Sequence, residues 1–234
     1  MPAVVVAECM SRDGIRAAQR FYGRWARLYD VLASATPGLS RLRDLAVDRL
    51  DLAPGDTVVE MGCGTGANFP HLRDRVGPTG TVVGVDFTRG MLVQARDRVR
   101  REGWANVHLV QADAASFAPR EPVDAVLATF VVGMLDDPGA AVDGWLDSLR
   151  PGGHLALLDA AQSGRSYAWP ADVAFRALVL ASTPGDRSGF EEPPWEVLDE
   201  RVAAARRALG ERAGDVTDSE HVLGVVRVTG GRIP

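Results

Sequence analysis

Short apolar runs alternate with amphipathic stretches through the middle of the chain. Five runs rich in β-branched residues are bounded by turn-forming residues: Thr57–Met61, Thr81–Val85, Val107–Gln111, Ala125–Phe130 and His154–Asp159. Patterns of helical period separate them, including Gly90–Glu102 and Ala140–Leu149. Strand, helix and strand that repeat at intervals of roughly 25 residues are typical of βαβ units, and they predict a parallel sheet.

The last part of the chain follows a different pattern. Trp195–Arg212 is amphipathic with a helical period, and two β-like stretches follow it, Asp215–Ser219 and His221–Thr229. Too few residues separate these stretches for a crossover helix, so they are expected to be antiparallel. The predicted fold class is α/β: a doubly wound, seven-stranded, mostly parallel sheet with an antiparallel last strand and helical cap segments.

Two regions are predicted to cover this sheet. Residues 1–50 hold a loose tail and two amphipathic helices, Ile15–Leu32 and Leu39–Leu50. Residues 51–234 form the main domain, and within it residues 160–200 predict an insertion that covers the substrate. Arginines line one face of Ile15–Leu32. Such a stripe is typical of a solvated helix, and the alternative interpretation is a lid that meets an anionic lipid surface or an anionic substrate.

Composition then narrows the possible chemistry. The chain has 234 residues, 26 basic and 31 acidic side chains and a formal net charge of −5, and every basic residue is arginine because lysine is absent. The absence of lysine excludes a Walker phosphate loop, a Schiff-base enzyme and a lysine general base. The acidic excess argues against nucleic-acid binding, which depends on neutralising phosphates.

The sequence also lacks the usual marks of metal binding and secretion. Two cysteines and four scattered histidines form no metal-ligating motif, so we expect no metal site. No apolar run is long enough to cross a bilayer, and the N-terminus lacks the basic and apolar regions of a signal peptide. We therefore expect a cytoplasmic protein.

The most informative segment is the glycine-rich stretch at residues 58–67, with the sequence VVEMGCGTGA. It follows a predicted strand and precedes a helix, where glycines let a ligand approach the backbone and the helix supplies free N–H groups. Because Gly62, Gly64 and Ala67 also satisfy the dinucleotide pattern G-x-G-x-x-[GA], a nicotinamide-dependent oxidoreductase remains an alternative.

Carboxylates around this loop favour a different cofactor. Glu60 lies at the carboxyl end of the first strand, two residues before Gly62, where it would repel a pyrophosphate but suits a ligand that carries an ammonium and a sulfonium. Asp86 lies twenty residues after Gly66 at the end of the second strand and can accept hydrogen bonds from ribose hydroxyls in either cofactor. Asp113, after the third strand, can accept a hydrogen bond from an adenine amino group.

Five consecutive motifs resemble those of the class I S-adenosylmethionine (SAM)-dependent methyltransferases. They lie within Leu52–Asp159: Val58–Gly66, Val82–Asp86, Asp113-Ala114, Val123–Thr129 and the LRPGG sequence at 149–153. The resemblance implies SAM as cofactor, with Gly62, Gly64 and Gly66 beneath its methionine part. It further implies that Asp86 holds the ribose, that Phe87 covers the adenine with Met91 nearby, that Asp113 and Ala114 lie at the adenine edge, and that the Thr129 backbone lies near the methionine amine.

Three short sequences are similar to the ubiquinone/menaquinone C-methyltransferases and their small-molecule and lipid-modifying relatives: Arg27–Asp30, Gly84–Phe87 and Val228–Gly231. This similarity implies that Tyr29 closes over the cofactor. It also implies a small methyl acceptor, and the aromatic residues of the predicted caps indicate that the acceptor is apolar, such as a quinone, phenol, isoprenoid or lipid. Packing of the caps on the sheet explains those aromatics equally well.

One residue is predicted to act in catalysis. Methyl transfer is an in-line displacement, and a carbon or alcohol nucleophile needs a proton acceptor. Asp159 ends the fifth strand, at the edge where open α/β sheets bind ligands, and is our candidate. A regulatory module that binds SAM without turnover is a second alternative.

Overall fold

The computed structural model describes residues 38–182 and 193–234, which form one seven-stranded sheet with helices on both faces. The strands are β1 (Thr57–Met61), β2 (Thr81–Asp86), β3 (Val107–Gln111), β4 (Val123–Thr129), β5 (Leu149–Ala160), β6 (Gly214–His221) and β7 (Val226–Arg232). The helices are α1 (Leu39–Asp48), α2 (Phe69–Val76), α3 (Arg89–Glu102), α4 (Pro138–Asp147), α5 (Trp169–Ser182) and α6 (Pro194–Arg212).

The sheet has the strand order β3-β2-β1-β4-β5-β7-β6. Strands β1 to β5 are parallel, and β7 pairs antiparallel with both β5 and β6. The chain winds outward from β1 in one direction and returns through β4 in the other, so the order reverses between β1 and β4. Ligands bind at such a reversal, outside the carboxyl ends of the strands. The predicted fold class is confirmed.

Apolar side chains divide the molecule into three layers. On one face of the sheet, helices α1, α2 and α3 pack through residues such as Val47, Phe69 and Leu92. On the other face, α4 and α6 pack through residues such as Trp145 and Leu209. Helix α1 therefore belongs to the core layer. The predicted division at residues 50 and 51 stays a prediction.

Two predicted strands match the structure residue for residue, and others differ at their ends. Strand β5 begins at Leu149 rather than at His154 because the LRPGG segment continues the pairing, with Val123 opposite Leu149. Strand β7 begins at Val226, five residues later than predicted, because Val222 and Leu223 adopt positive φ angles of 51° and 59° in the connection that precedes it.

None of the helices within the described ranges combines the length and the apolar composition that a bilayer crossing requires.

Candidate cofactor site

The glycine-rich loop between β1 and α2 is shaped by its three glycines. Gly62, Gly64 and Gly66 have φ angles of 67°, 55° and 76°, in the left-handed region that side chains rarely adopt. A Cβ at Gly62 would lie 2.5 Å from the Val131 side chain, and one at Gly66 would overlap the Phe69 ring. At Gly64 a Cβ would meet no atom of residues 38–182 or 193–234 within 4 Å. The loop is therefore packed at both ends and open at its centre, where a ligand can approach the backbone.

Asp86 holds this open centre in place. Its Oδ2 accepts a hydrogen bond from the Gly64 N–H at 2.9 Å, and its Oδ1 accepts one from the Thr88 N–H at 2.7 Å. Burial raises the pKa of Asp86, and these two backbone hydrogen bonds oppose the rise. The structure thus brings the predicted ribose-binding carboxylate directly beside the glycine loop.

Glu60 lies in a buried polar network on the face of the sheet that carries α1 to α3. Asn68 donates through Nδ2 to Glu60 Oε1 at 2.6 Å and to Thr129 Oγ1 at 2.9 Å. Arg43 of α1 in turn donates through Nη1 to Asn68 Oδ1 at 3.0 Å. Each of these four side chains is at least nine-tenths buried. The motifs of the sequence predict Glu60 and the Thr129 backbone at this site, whereas Arg43 and Asn68 are found there only in the folded structure.

The second oxygen of the Glu60 carboxylate, Oε2, is buried and has no hydrogen-bond partner among the described residues. Burial raises the pKa of Glu60 to about 7, and the Asn68 hydrogen bond and the charge of Arg43 act against the rise. A buried carboxylate oxygen without a partner is costly unless a donor or a cation reaches it. The residues present therefore fit a cationic group such as the ammonium of SAM.

The predicted adenine-binding residues follow β2 and β3, which are neighbours in the sheet with Asp86 opposite Gln111. The Gln111 side chain donates to the Phe87 carbonyl at 3.1 Å. Asp113 Oδ1 accepts from the Ala115 N–H at 3.0 Å and so shapes the turn after β3.

The predicted adenine-binding residues include two apolar ones, Met91 and Ala114. Met91, in the first turn of α3, is buried. The Ala114 carbonyl accepts a hydrogen bond from Trp145 Nε1 at 2.8 Å, which ties the turn after β3 to α4. The structure thus brings Phe87, Met91, Asp113 and Ala114 to the same edge as Asp86. Tyr29 lies outside the described residues.

Asp159 lies on the other face of the sheet from Glu60 and Thr129. Thr129 pairs with Leu158, so the next residue along β5 points to the opposite face, which α6 covers. Asp159 is 3% exposed and its Oδ2 has no hydrogen-bond partner among the described residues. Burial raises its pKa to about 7, and the charge of Arg206 on α6 opposes the rise. Its catalytic role stays a prediction.

Cys63, inside the loop, is a packing residue. It is 4% exposed, and burial raises the pKa of its thiol well above the ordinary value. Its Sγ lies where a Cβ at Gly84 would come within 2.9 Å. A buried thiol with a raised pKa is a poor nucleophile. Among residues 38–182 and 193–234, no group of three or more His, Cys, Asp and Glu side chains is placed to hold a metal ion.

Comparison with known proteins identifies the family. A family model described as "Methyltransferase domain" matches residues 58–153. The phosphatidylethanolamine N-methyltransferase of Cereibacter sphaeroides is 34% identical over 145 residues, which cover 61% of this chain and 68% of that protein. The chain belongs to the class I SAM-dependent methyltransferases. The family's cofactor is SAM, which confirms the cofactor prediction over the nicotinamide alternative.

Two further relatives are named for different compounds. The trans-aconitate 2-methyltransferase of Azoarcus sp. (strain BH72) is 36% identical over 164 residues, 70% of this chain and 54% of that protein. The ubiquinone/menaquinone biosynthesis C-methyltransferase of Ectopseudomonas mendocina (strain ymp) is 32% identical over 158 residues, 66% of this chain and 61% of that protein. The chain thus spans little more than half the length of these two relatives.

A solved structure shares the fold. The SAM-dependent methyltransferase from Aquifex aeolicus has a TM-score of 0.59 and 21% sequence identity, and the match covers 85% of this chain and 94% of that one. This similarity extends well beyond the residues that the family model matches.

Proposed function

We propose that this protein transfers the methyl group of SAM to a small, mostly apolar acceptor. The observation that carries the proposal is the buried Glu60 Oε2, which has no hydrogen-bond partner among the described residues. It belongs to the same sheet edge as the open backbone of Gly64. A carboxylate at this point favours a cationic ligand and disfavours a diphosphate.

Different residues of the site bind different parts of the cofactor. Glu60 receives the ammonium, Asp86 accepts hydrogen bonds from the ribose hydroxyls, and the turn at Asp113 and Ala114 meets the adenine edge. When bound, SAM supplies an electrophilic methyl group on a positively charged sulfur. The contribution of the protein is alignment of the two reactants and exclusion of water.

The apolar acceptor is supported by the segment that follows β5. In α5, Trp169 and Val173 are 66% and 55% exposed, whereas Phe175 and Val179 pack against Val225. Packing thus accounts for Phe175, and Trp169 offers an apolar surface. The relatives named for a quinone and for a phospholipid also fit an apolar acceptor. The relative named for trans-aconitate makes a polar acid the main alternative.

Asp159 is proposed as the proton acceptor for a carbon or alcohol nucleophile because it lies at the carboxyl end of β5, at the sheet edge where such folds bind ligands, and burial raises its pKa to about 7. The Asp159→Asn variant tests this role. We expect turnover to fall at least tenfold with unchanged affinity for S-adenosylhomocysteine (SAH). Unchanged turnover would remove Asp159 from the mechanism.

The acceptor class is tested by incubating the purified protein with SAM and single acceptors, and by measuring SAH by mass spectrometry. The panel contains a naphthoquinol, a phenol, an isoprenoid alcohol, phosphatidylethanolamine vesicles, trans-aconitate and RNA. We expect SAH only with the apolar acceptors, and at least tenfold less of it from the Asp86→Ala variant at sub-saturating SAM. Turnover of RNA or of trans-aconitate alone would contradict the apolar assignment. SAM binding without SAH formation, even with a whole metabolite extract, would identify a non-catalytic module.

A further inference from the structure

A buried chain of side chains connects helix α1 to the cofactor site. Arg43 is 5% exposed and lies 25 residues before Asn68, outside every motif of the glycine-rich region. Asn68 contacts Arg43 through its carbonyl oxygen, and contacts Glu60 and Thr129 through its amino group. Arg43, Asn68 and Glu60 thus form a continuous chain of hydrogen bonds, which we call the relay.

The chemistry of these groups fixes the direction of the relay. A guanidinium can only donate hydrogen bonds, so the Asn68 atom that faces Arg43 must be the carbonyl oxygen. The amino group of Asn68 must then face Glu60 and Thr129. Arg43 and Glu60 thus hold the Asn68 amide in the same orientation from its two ends. Removal of Arg43 takes the charged donor away from the buried Asn68 oxygen and loosens the amide that faces Glu60.

This direction decides which part of Glu60 is left for a ligand. Both hydrogens of the Asn68 amino group are used, one by Glu60 Oε1 and one by Thr129 Oγ1. Because Oε1 is occupied, Oε2 is the oxygen that remains to meet a cation. The other charged groups that influence Glu60 are Asp86 and Arg98.

We propose that Arg43 is a positioning residue that acts through Asn68 to reserve Glu60 Oε2 for the ammonium group of the cofactor. The proposal rests on the proposed function, because it takes SAM as the ligand. It assigns the recognition of the amine to a helix that precedes the glycine-rich loop, and separates this recognition from the binding of ribose and adenine.

The test compares two ligands in three proteins by isothermal titration calorimetry at pH 7. The ligands are SAH, which carries the amine, and its desamino analogue, which lacks only the amine. In the Arg43→Met variant we expect SAH to bind about tenfold more weakly, the loss of one charge-assisted hydrogen bond, and the desamino analogue to bind within twofold of the parent. The Arg43→Lys variant keeps a donor and should recover part of the loss.

A second readout separates positioning from general loss of structure. Arg43 and the Asn68 hydrogen bond both lower the pKa of Glu60. SAH affinity falls as Glu60 becomes protonated at acidic pH, so removal of either partner should move this fall to higher pH. The Asn68→Leu variant, of similar size, should show the same displacement. It also serves as the test if Arg43→Met does not fold.

The outcomes distinguish this proposal from the proposed function. If the parent does not bind SAH, both are overturned. If the parent binds SAH but the variants lose affinity for the two ligands equally, or show an unmoved pH profile, only the relay is overturned.

Discussion

Replacing Glu60 with glutamine should make the cofactor-free protein more stable at alkaline pH. The same substitution should lower its affinity for SAH. Glutamine has nearly the same shape, and its carbonyl oxygen can accept the hydrogen bond that Asn68 gives to Glu60 Oε1. The substitution therefore removes the ionisable group and leaves the packing unchanged. Any difference in stability between parent and variant then reports on the charge.

The size of the effect follows from the pKa of Glu60. A rise from 4.5 to about 7 corresponds to about 3 kcal/mol between the protonated and ionised forms. Because the pKa is higher in the folded protein than in the unfolded chain, the folded state binds the proton more tightly. The resulting stabilisation is complete below about pH 4.5 and is lost as pH rises to about 7. At pH 8 ionised Glu60 therefore costs about 3 kcal/mol, and at pH 5 less than about 1 kcal/mol.

Urea unfolding of the cofactor-free proteins at pH 5 and pH 8 measures this difference. We expect Glu60→Gln to gain up to about 3 kcal/mol over the parent at pH 8 and little at pH 5. The matched control is Asp159→Asn on the opposite face, whose pKa is also raised to about 7. Both variants should gain stability at pH 8, but only Glu60→Gln should lose affinity for SAH. An equal stability difference at the two pH values would refute the burial of an ionisable Glu60.

Three other substitutions probe the site. Asp86→Ala should weaken SAH binding at least tenfold, by calorimetry, because it removes the ribose acceptor and frees the loop; affinity within twofold of the parent would exclude this role. Gly66→Ala should destabilise the protein by about 2 kcal/mol or more, because the new Cβ would overlap the Phe69 ring and the position has a positive φ angle. An unchanged midpoint in urea unfolding would contradict that packing. Trp145→Phe should cost about 1–2 kcal/mol by leaving the Ala114 carbonyl unpaired, and should weaken adenosine binding; a fully stable variant would show that the hydrogen bond is dispensable.

The fold was largely predictable because its signals are local. Strands such as Thr57–Met61 are apolar runs between turn residues, and the structure reproduces them. The start of β5 was missed because Pro151 and two glycines are typical of a turn. In the folded chain that segment is held by its neighbours, with Leu149 opposite Val123 and the Ile233 N–H bonded to the Gly153 carbonyl at 2.8 Å. Such long-range pairing cannot be read from the segment itself.

The residues of the candidate site likewise fall into those that local sequence patterns predict and those that only the tertiary structure brings together. The glycines and Asp86 are marked by their spacing after consecutive strands, so the sequence placed them at one edge. Arg43 on an amphipathic helix is indistinguishable from a solvated arginine until the tertiary structure brings it to Asn68. The face on which Asp159 lies depends on the exact end of β5 and its register with β4, which the sequence pattern does not determine.

The reversed strand β7 has a consequence for synthesis on the ribosome. Before residues 226–232 emerge, β5 is the outer strand of the growing sheet, and its central residues Leu155, Ala156, Leu157 and Leu158 are apolar and buried in the finished protein. An apolar outer strand with free backbone groups can pair with another nascent chain. During synthesis the protein is therefore prone to aggregate through β5 until β7 inserts beside it.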